Sequence, residues 1–112
     1  MRVLLVEPGD YPKSVSVDGS LKSLQDLVGG VIQAIYPLED PVAIICNEEG
    51  KLEGLEPNRA LYNPENGQVY DIIFGSFFIC GLGEDDFISL SPELMKKYEQ
   101  EFYYPELFIP SH

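Results

Sequence analysis

The stretch Cys46–Gly83, CNEEGKLEGLEPNRALYNPENGQVYDIIFGSFFICGLG, organises the reading of the whole chain. It sets a polar, turn-rich excursion between runs whose apolar character marks buried strands. Connections within a compact domain are usually short, so a long polar insert with its own arginine is a natural place for specificity. Within it, Asn47-Glu48-Glu49-Gly50 has the composition of a hairpin turn. Lys51–Leu55 predicts a short returning strand, and Pro57–Leu61 one helical turn with Pro57 at its first position. Asn63-Pro64-Glu65-Asn66-Gly67 is a second turn signal. The runs Val69–Phe74 and Phe77–Leu82 flank Gly75-Ser76, a spacing that predicts a tight hairpin.

Towards the N-terminus, Arg2–Glu7 is leucine- and valine-rich and closes on Pro8-Gly9-Asp10, while Lys13–Asp18 alternates polar and apolar. Together they predict a hairpin. Asp18-Gly19-Ser20 opens a helix whose Leu21, Leu24, Leu27 and Val28 share a face, ended by Gly29-Gly30. Val31–Pro37 predicts another strand, and the unbroken apolar run Val42–Cys46 a central one. Beyond Gly83, Ser91-Pro92-Glu93 caps a helix to about Phe102, with Leu94, Tyr98 and Phe102 as its apolar stripe. The expected fold is therefore α+β: a single domain over residues 1–102, with a mainly antiparallel sheet of about five or six strands and two helices packed on it. Residues 103–112 are expected to form an extended C-terminal tail.

Charge narrows the partners. Nineteen acidic residues stand against seven basic ones, a net charge of −12 over 112 residues. Such a chain repels phosphate backbones, and Arg2, Lys13, Lys22, Lys51, Arg59, Lys96 and Lys97 are scattered, so direct nucleic-acid binding is not expected. Basic proteins or cations are the favoured partners, although net charge also serves solubility alone. No apolar run reaches the roughly 20 residues of a membrane helix, and MRVLLVEPGD reads as a first strand rather than a signal peptide. The cytoplasm is the expected location. Cys46 and Cys80 each end an apolar run; two reduced, buried thiols are expected there, with a disulfide open if their strands adjoin.

Little material for catalysis is present. The one histidine is the terminal His112, so triads and histidine metal sites lack their base or ligand, and no cofactor or metal is expected. Glu84-Asp85-Asp86 lacks the spacing of a calcium loop and reads as an exposed cap before a helix. Asn58-Arg59 is the sharper pair: a planar guanidinium fork suits a carboxylate or phosphate, and an amide both donates and accepts. Asn47 and Asp71 join this candidate ligand site if the flanking strands adjoin. The alternative is structural, with Arg59 paired to Asp71 or Glu48 and pinning the insert to the sheet. Glu84, Asp85 and Asp86, with Tyr103, Tyr104, Phe108 and Ile109 of the tail, form a candidate partner surface, including a possible homodimer through the tail.

MRVLLVEPG, DGSLKSLQDLVGG, VAIICNEEGKLEGLEPNRALYN and DIIFGSFFICGLGEDDFISLSPE, in order from Met1 to about Phe102, resemble the family catalogued as domain of unknown function 3846. The most specific parts are the Asn47–Gly50 turn, Pro57-Asn58-Arg59-Ala60 and the strand from Gly75 to Gly81. The resemblance implies a bacterial protein, often carried by phage or conjugative elements, with no assigned activity. The resulting expectation is a small, acidic, non-enzymatic accessory protein acting by protein–protein interaction, with anti-host-defence action or DNA mimicry as versions of it. The alternative is a small-molecule or nucleotide-binding domain using the Asn58-Arg59 loop.

Overall fold

The computed structural model describes residues 1–108. Along the chain run β1 (Arg2–Val6), β2 (Lys13–Ser16), α1 (Leu21–Val28), β3 (Ile32–Ile35), β4 (Val42–Asn47), β5 (Pro57–Tyr62), β6 (Val69–Phe74), β7 (Phe77–Leu82), β8 (Phe87–Ile88) and α2 (Pro92–Glu101). Six strands form one antiparallel sheet in the order β2-β1-β7-β4-β3, with β8 paired to the far end of β7 beyond β1. β5 and β6 form a separate two-stranded ribbon. The expected α+β fold with a mainly antiparallel sheet and two helices is what the chain adopts.

The apolar runs are unbroken because both faces of the main sheet are covered. Side chains alternate along a strand, so Val42, Ile44 and Cys46 of β4 and Phe77 and Ile79 of β7 share one face. That face packs against Tyr98 and Phe102 from the α2 side and Leu61 and Ile73 of the ribbon. Ala43, Ile45, Phe78 and Cys80 point the other way, onto Leu24 and Val28 of α1. Cys46 and Cys80 therefore lie on opposite faces of the sheet; both are free and buried. The helix ends follow the sequence signals. The Ser20 and Ser91 side chains accept from the Ser23 and Leu94 amides, and Gly29 ends α1 at φ 77°.

Four local expectations need correction. Gly75-Ser76 does not join a hairpin: β6 pairs with β5, whereas β7 lies between β1 and β4. The cause is burial. β7 is apolar on both faces and needs a central place, while Val69 and Tyr70 of β6 are exposed. The chain crosses between sheets at Gly75, where φ is 84° and a Cβ would come within 2.6 Å of Leu55 Cδ1, so glycine is required. Second, Pro57–Leu61 is strand, not a helical turn; Pro57 sits at the first strand position, where its missing N–H is tolerated. Third, Lys51–Leu55 forms turns rather than a returning strand. Fourth, Glu84-Asp85-Asp86 turns the chain from β7 into β8 instead of preceding a helix.

Candidate functional site

The ribbon register carries the main surprise. Pro57 faces Phe74 and Arg59 faces Ile73, so Asn58 is an extra residue in β5. A bulge of this kind breaks the alternation of side chains and re-aims them. Here it turns both Asn58 and Arg59 inward, where they are 0% and 1% exposed. Asn58 Nδ2 donates to the carbonyls of Val6 and Gly75, each at 2.9 Å, tying the ribbon to the end of β1 and to the sheet crossing.

Arg59 uses all five guanidinium donors internally. Nε and Nη2 each donate to the Phe102 carbonyl at 3.1 Å, and Nη2 also reaches the Asp10 carbonyl at 2.7 Å. Nη1 donates to Asn58 Oδ1 at 2.8 Å and to the Asn58 carbonyl at 3.2 Å. Burial pushes the guanidinium pKa down from its usual range, while the charges of Glu106 and Asp10 act the other way. Neither proposed carboxylate partner, Asp71 or Glu48, bonds it. Apart from Asn58 Oδ1, the acceptors are backbone carbonyls, which a sequence does not reveal.

The four candidate ligand residues accordingly do not converge. Asn58 and Arg59 are consumed as an internal clamp, whereas Asn47 and Asp71 border a different feature. This is a cleft of about 400 Å³ between the main sheet and the ribbon, with Gln33, Ile35 and Cys46 on one wall, and Asp71, Ile73 and Phe74 on the other. The turn carrying Glu48, Glu49 and Lys51 closes one end. Both ends of the Asn47 amide are engaged: Nδ2 donates to the Val28 carbonyl at 3.3 Å and Oδ1 accepts from the Glu49 amide at 2.8 Å. It ties α1 to the turn.

Asp71 is the polar centre of the cleft. Its Oδ1 accepts from Lys51 Nζ at 2.8 Å and from the Ile72 amide at 2.8 Å. The lysine bond, then the amide, hold the carboxyl below its usual range against the opposing effect of burial. Lys51 Nζ also stands 5.8 Å from the centroid of the Phe74 ring, within reach of its negative face. Burial, with the Asp71 charge second, pushes the Cys46 thiol up, so it is no poised nucleophile. The sequence reading missed Lys51 and Phe74. The surplus of acids around Lys51 was the available signal, but its partner 20 residues away depends on the ribbon.

Glu84, Asp85 and Asp86 are exposed in the β7–β8 turn, closed by the Gly83 amide donating to the Asp86 carbonyl at 2.8 Å. The tail is partly tied down. Glu106 Oε2 accepts from the Ala60 amide at 3.0 Å, and the Tyr103 ring lies 4.8 Å from that of Tyr11. Tyr104 remains 75% exposed and Phe108 is half-buried, whereas Ile109 and His112 lie outside the described residues.

Fold and site define a three-layer α+β protein with a carboxylate-lined cleft between its sheet and its ribbon. The chain belongs to the family described as Domain of unknown function (DUF3846), whose model matches residues 1–103. No curated protein and no solved structure matches it. No helix among the described residues is long and apolar enough to cross a membrane.

Proposed function

We propose that the protein is a non-enzymatic interaction module that binds a basic partner protein and seats one of its cationic side chains in the cleft beside Asp71. One observation carries this reading: the chain's own Lys51 ammonium rests between the Asp71 carboxylate, at 2.8 Å, and the Phe74 ring, at 5.8 Å. A carboxylate beside an aromatic face is a general arrangement for holding an ammonium or guanidinium. Glu48 and Glu49 at the same cleft leave its charge negative even with Lys51 present. Lys51, whose side chain is 61% exposed, is thus a displaceable occupant supplied by the chain itself, and the excess of acidic residues steers basic partners inward.

The bacterial phage or other mobile element that the family resemblance implies, together with a cytoplasmic location, is part of the same proposal. So is its sharper form, in which the carboxylates stand in for DNA phosphates. The alternative ligand site at Asn58-Arg59 gains no support, since those donors are spent internally.

The test is calorimetric titration with a short lysine- and arginine-rich peptide. Asp71→Asn weakens binding and Lys51→Ala tightens it, because the competing internal ammonium is removed. Affinity falls as salt rises, as screening requires. Binding indifferent to both substitutions overturns the assignment to this cleft; binding unchanged at high salt overturns the charge-driven reading.

A further inference from the structure

The seven cations of the chain meet different fates. Arg59 is internal, and Lys13, Lys22, Lys51 and Lys97 each sit within 4 Å of a carboxylate. Arg2 and Lys96 enter no ion pair among the described residues. Both line the same hollow, of about 580 Å³, where Leu90, Pro92 and Met95 supply apolar surface and Ser14 a hydroxyl. The size is within the roughly 300–1,000 Å³ range of small-molecule sites.

The strand register explains why the hollow exists. Leu4 points to the α2 face of the sheet, and Arg2 follows it by the two-residue period. Their partners Ser14 and Ser16 on β2 share that face. Two serines provide no bulk there, so the outer strand of the hairpin is left uncovered. Leu94 and Tyr98 of α2 turn to the core, and Pro92, Met95, Lys96 and Glu99 form the adjacent stripe above β2 at helical spacing.

We propose that this hollow binds an amphipathic monocarboxylate, its head held by Arg2 and Lys96 and its short apolar body lying on Leu90, Pro92 and Met95. The two cations call for an anionic head, and the guanidinium fork matches a carboxylate. Glu93 and Glu99 also line the hollow and bring it to neutrality, which disfavours a doubly charged head such as a phosphate monoester. The apolar lining gives the body a reason to leave water. This site is separate from the Asp71 cleft and stands whether or not a basic partner binds there.

The experiment is an amide-shift titration of the isotope-labelled full chain with octanoate, octanol and octyl phosphate. Octanoate produces saturable shifts at Arg2, Ser14, Leu90 and Lys96, while octanol and octyl phosphate bind more weakly. Arg2→Gln and Lys96→Gln each weaken octanoate by about three- to ten-fold, the range expected for an exposed charge-assisted contact. Both side chains project from the surface, so the variants keep the parent melting temperature. Absence of saturable shifts, shifts centred elsewhere, equal binding of octanol, or affinity unchanged in both variants overturns the proposal.

Discussion

Arg59 donates to the carbonyl of Phe102 twice, from Nε and from Nη2, both at 3.1 Å. This fork fastens the ribbon to the C-terminal end of α2, 43 residues away. Removing it leaves the Phe102, Asp10 and Asn58 carbonyls short of a donor and opens a cavity. Arg59→Ala is expected to lower unfolding free energy by about 3–5 kcal/mol, the scale for breaking a buried charged network. Arg59→Lys keeps the charge but not the fork, and is expected to lose about 2 kcal/mol. Denaturant midpoints of the three proteins check this. An Arg59→Ala protein as stable as the parent restores the residue as a candidate ligand contact.

Asn58 and Arg59 act as one unit, since Asn58 Oδ1 accepts from Nη1 at 2.8 Å while Nδ2 holds Val6 and Gly75. Asn58→Ala strips two buried carbonyls of their donor and is expected to lose about 2–3 kcal/mol. In a double-mutant cycle with Arg59→Ala, the pair is expected to couple by at least about 1 kcal/mol, as members of one network do. Strict additivity would show that the clamp is two independent contacts.

Tyr98 supplies a pH-dependent contact. Its hydroxyl donates to Asp40 Oδ2 at 2.6 Å, and burial, with that bond second, pushes the phenol pKa up to about 12. The unfolded phenol titrates near 10. A folded pKa above the unfolded value stabilises fully below about pH 10, and that contribution is lost as pH rises towards 12. Tyr98→Phe is expected to flatten this part of the stability profile. Following unfolding midpoints between pH 9 and 12 in both proteins decides it; parallel profiles sink the assignment.

How much of this was legible beforehand depended on how local each signal was. Ser20, Gly29 and Ser91 set the helix ends through bonds within three or four residues, and the spacing of Leu24, Leu27 and Val28 marks the face of α1 that packs on the sheet, although Leu21, expected on that face, stays 60% exposed. The N-terminal hairpin is equally local. The ribbon was not legible, because two apolar runs around Gly75-Ser76 look like a hairpin unless it is known that β7 is claimed by β1 and β4. The same blindness hid the site. Arg59 stands out in the sequence as the arginine of the polar insert, but the bulge at Asn58 aims it at the Phe102 and Asp10 carbonyls, which come from segments distant in the chain. Asp71 was named without Lys51, whose approach requires β6 to stand beside the 48–52 turn.

The thiols offer a chemical check on the layering. Cys46 and Cys80 face opposite sides of the sheet, and burial lifts both, Cys80 to about 12. The thiolate is the reactive form, so neither is expected to react rapidly with an aromatic disulfide reagent at neutral pH. Two thiols are expected to appear on unfolding, without prior reduction. A fast-reacting native thiol mapped to Cys46 would mean that the cleft opens more widely than its walls suggest.

Gly50 sets the width of that cleft. A Cβ on it would lie 2.6 Å from the Phe74 carbonyl oxygen, a backbone atom that moves only with β6. Gly50→Ala must push β6 and the 48–52 turn apart, at about 1–3 kcal/mol, the usual scale of overpacking. The same displacement separates Lys51 from Asp71 and from the Phe74 ring. The expected result is a lower denaturant midpoint together with a carboxyl pKa for Asp71 nearer its ordinary value, read by carbon-detected titration. An unchanged midpoint with an unchanged Asp71 titration would show that the turn gives way without disturbing the cleft, and that its geometry is not held by this approach.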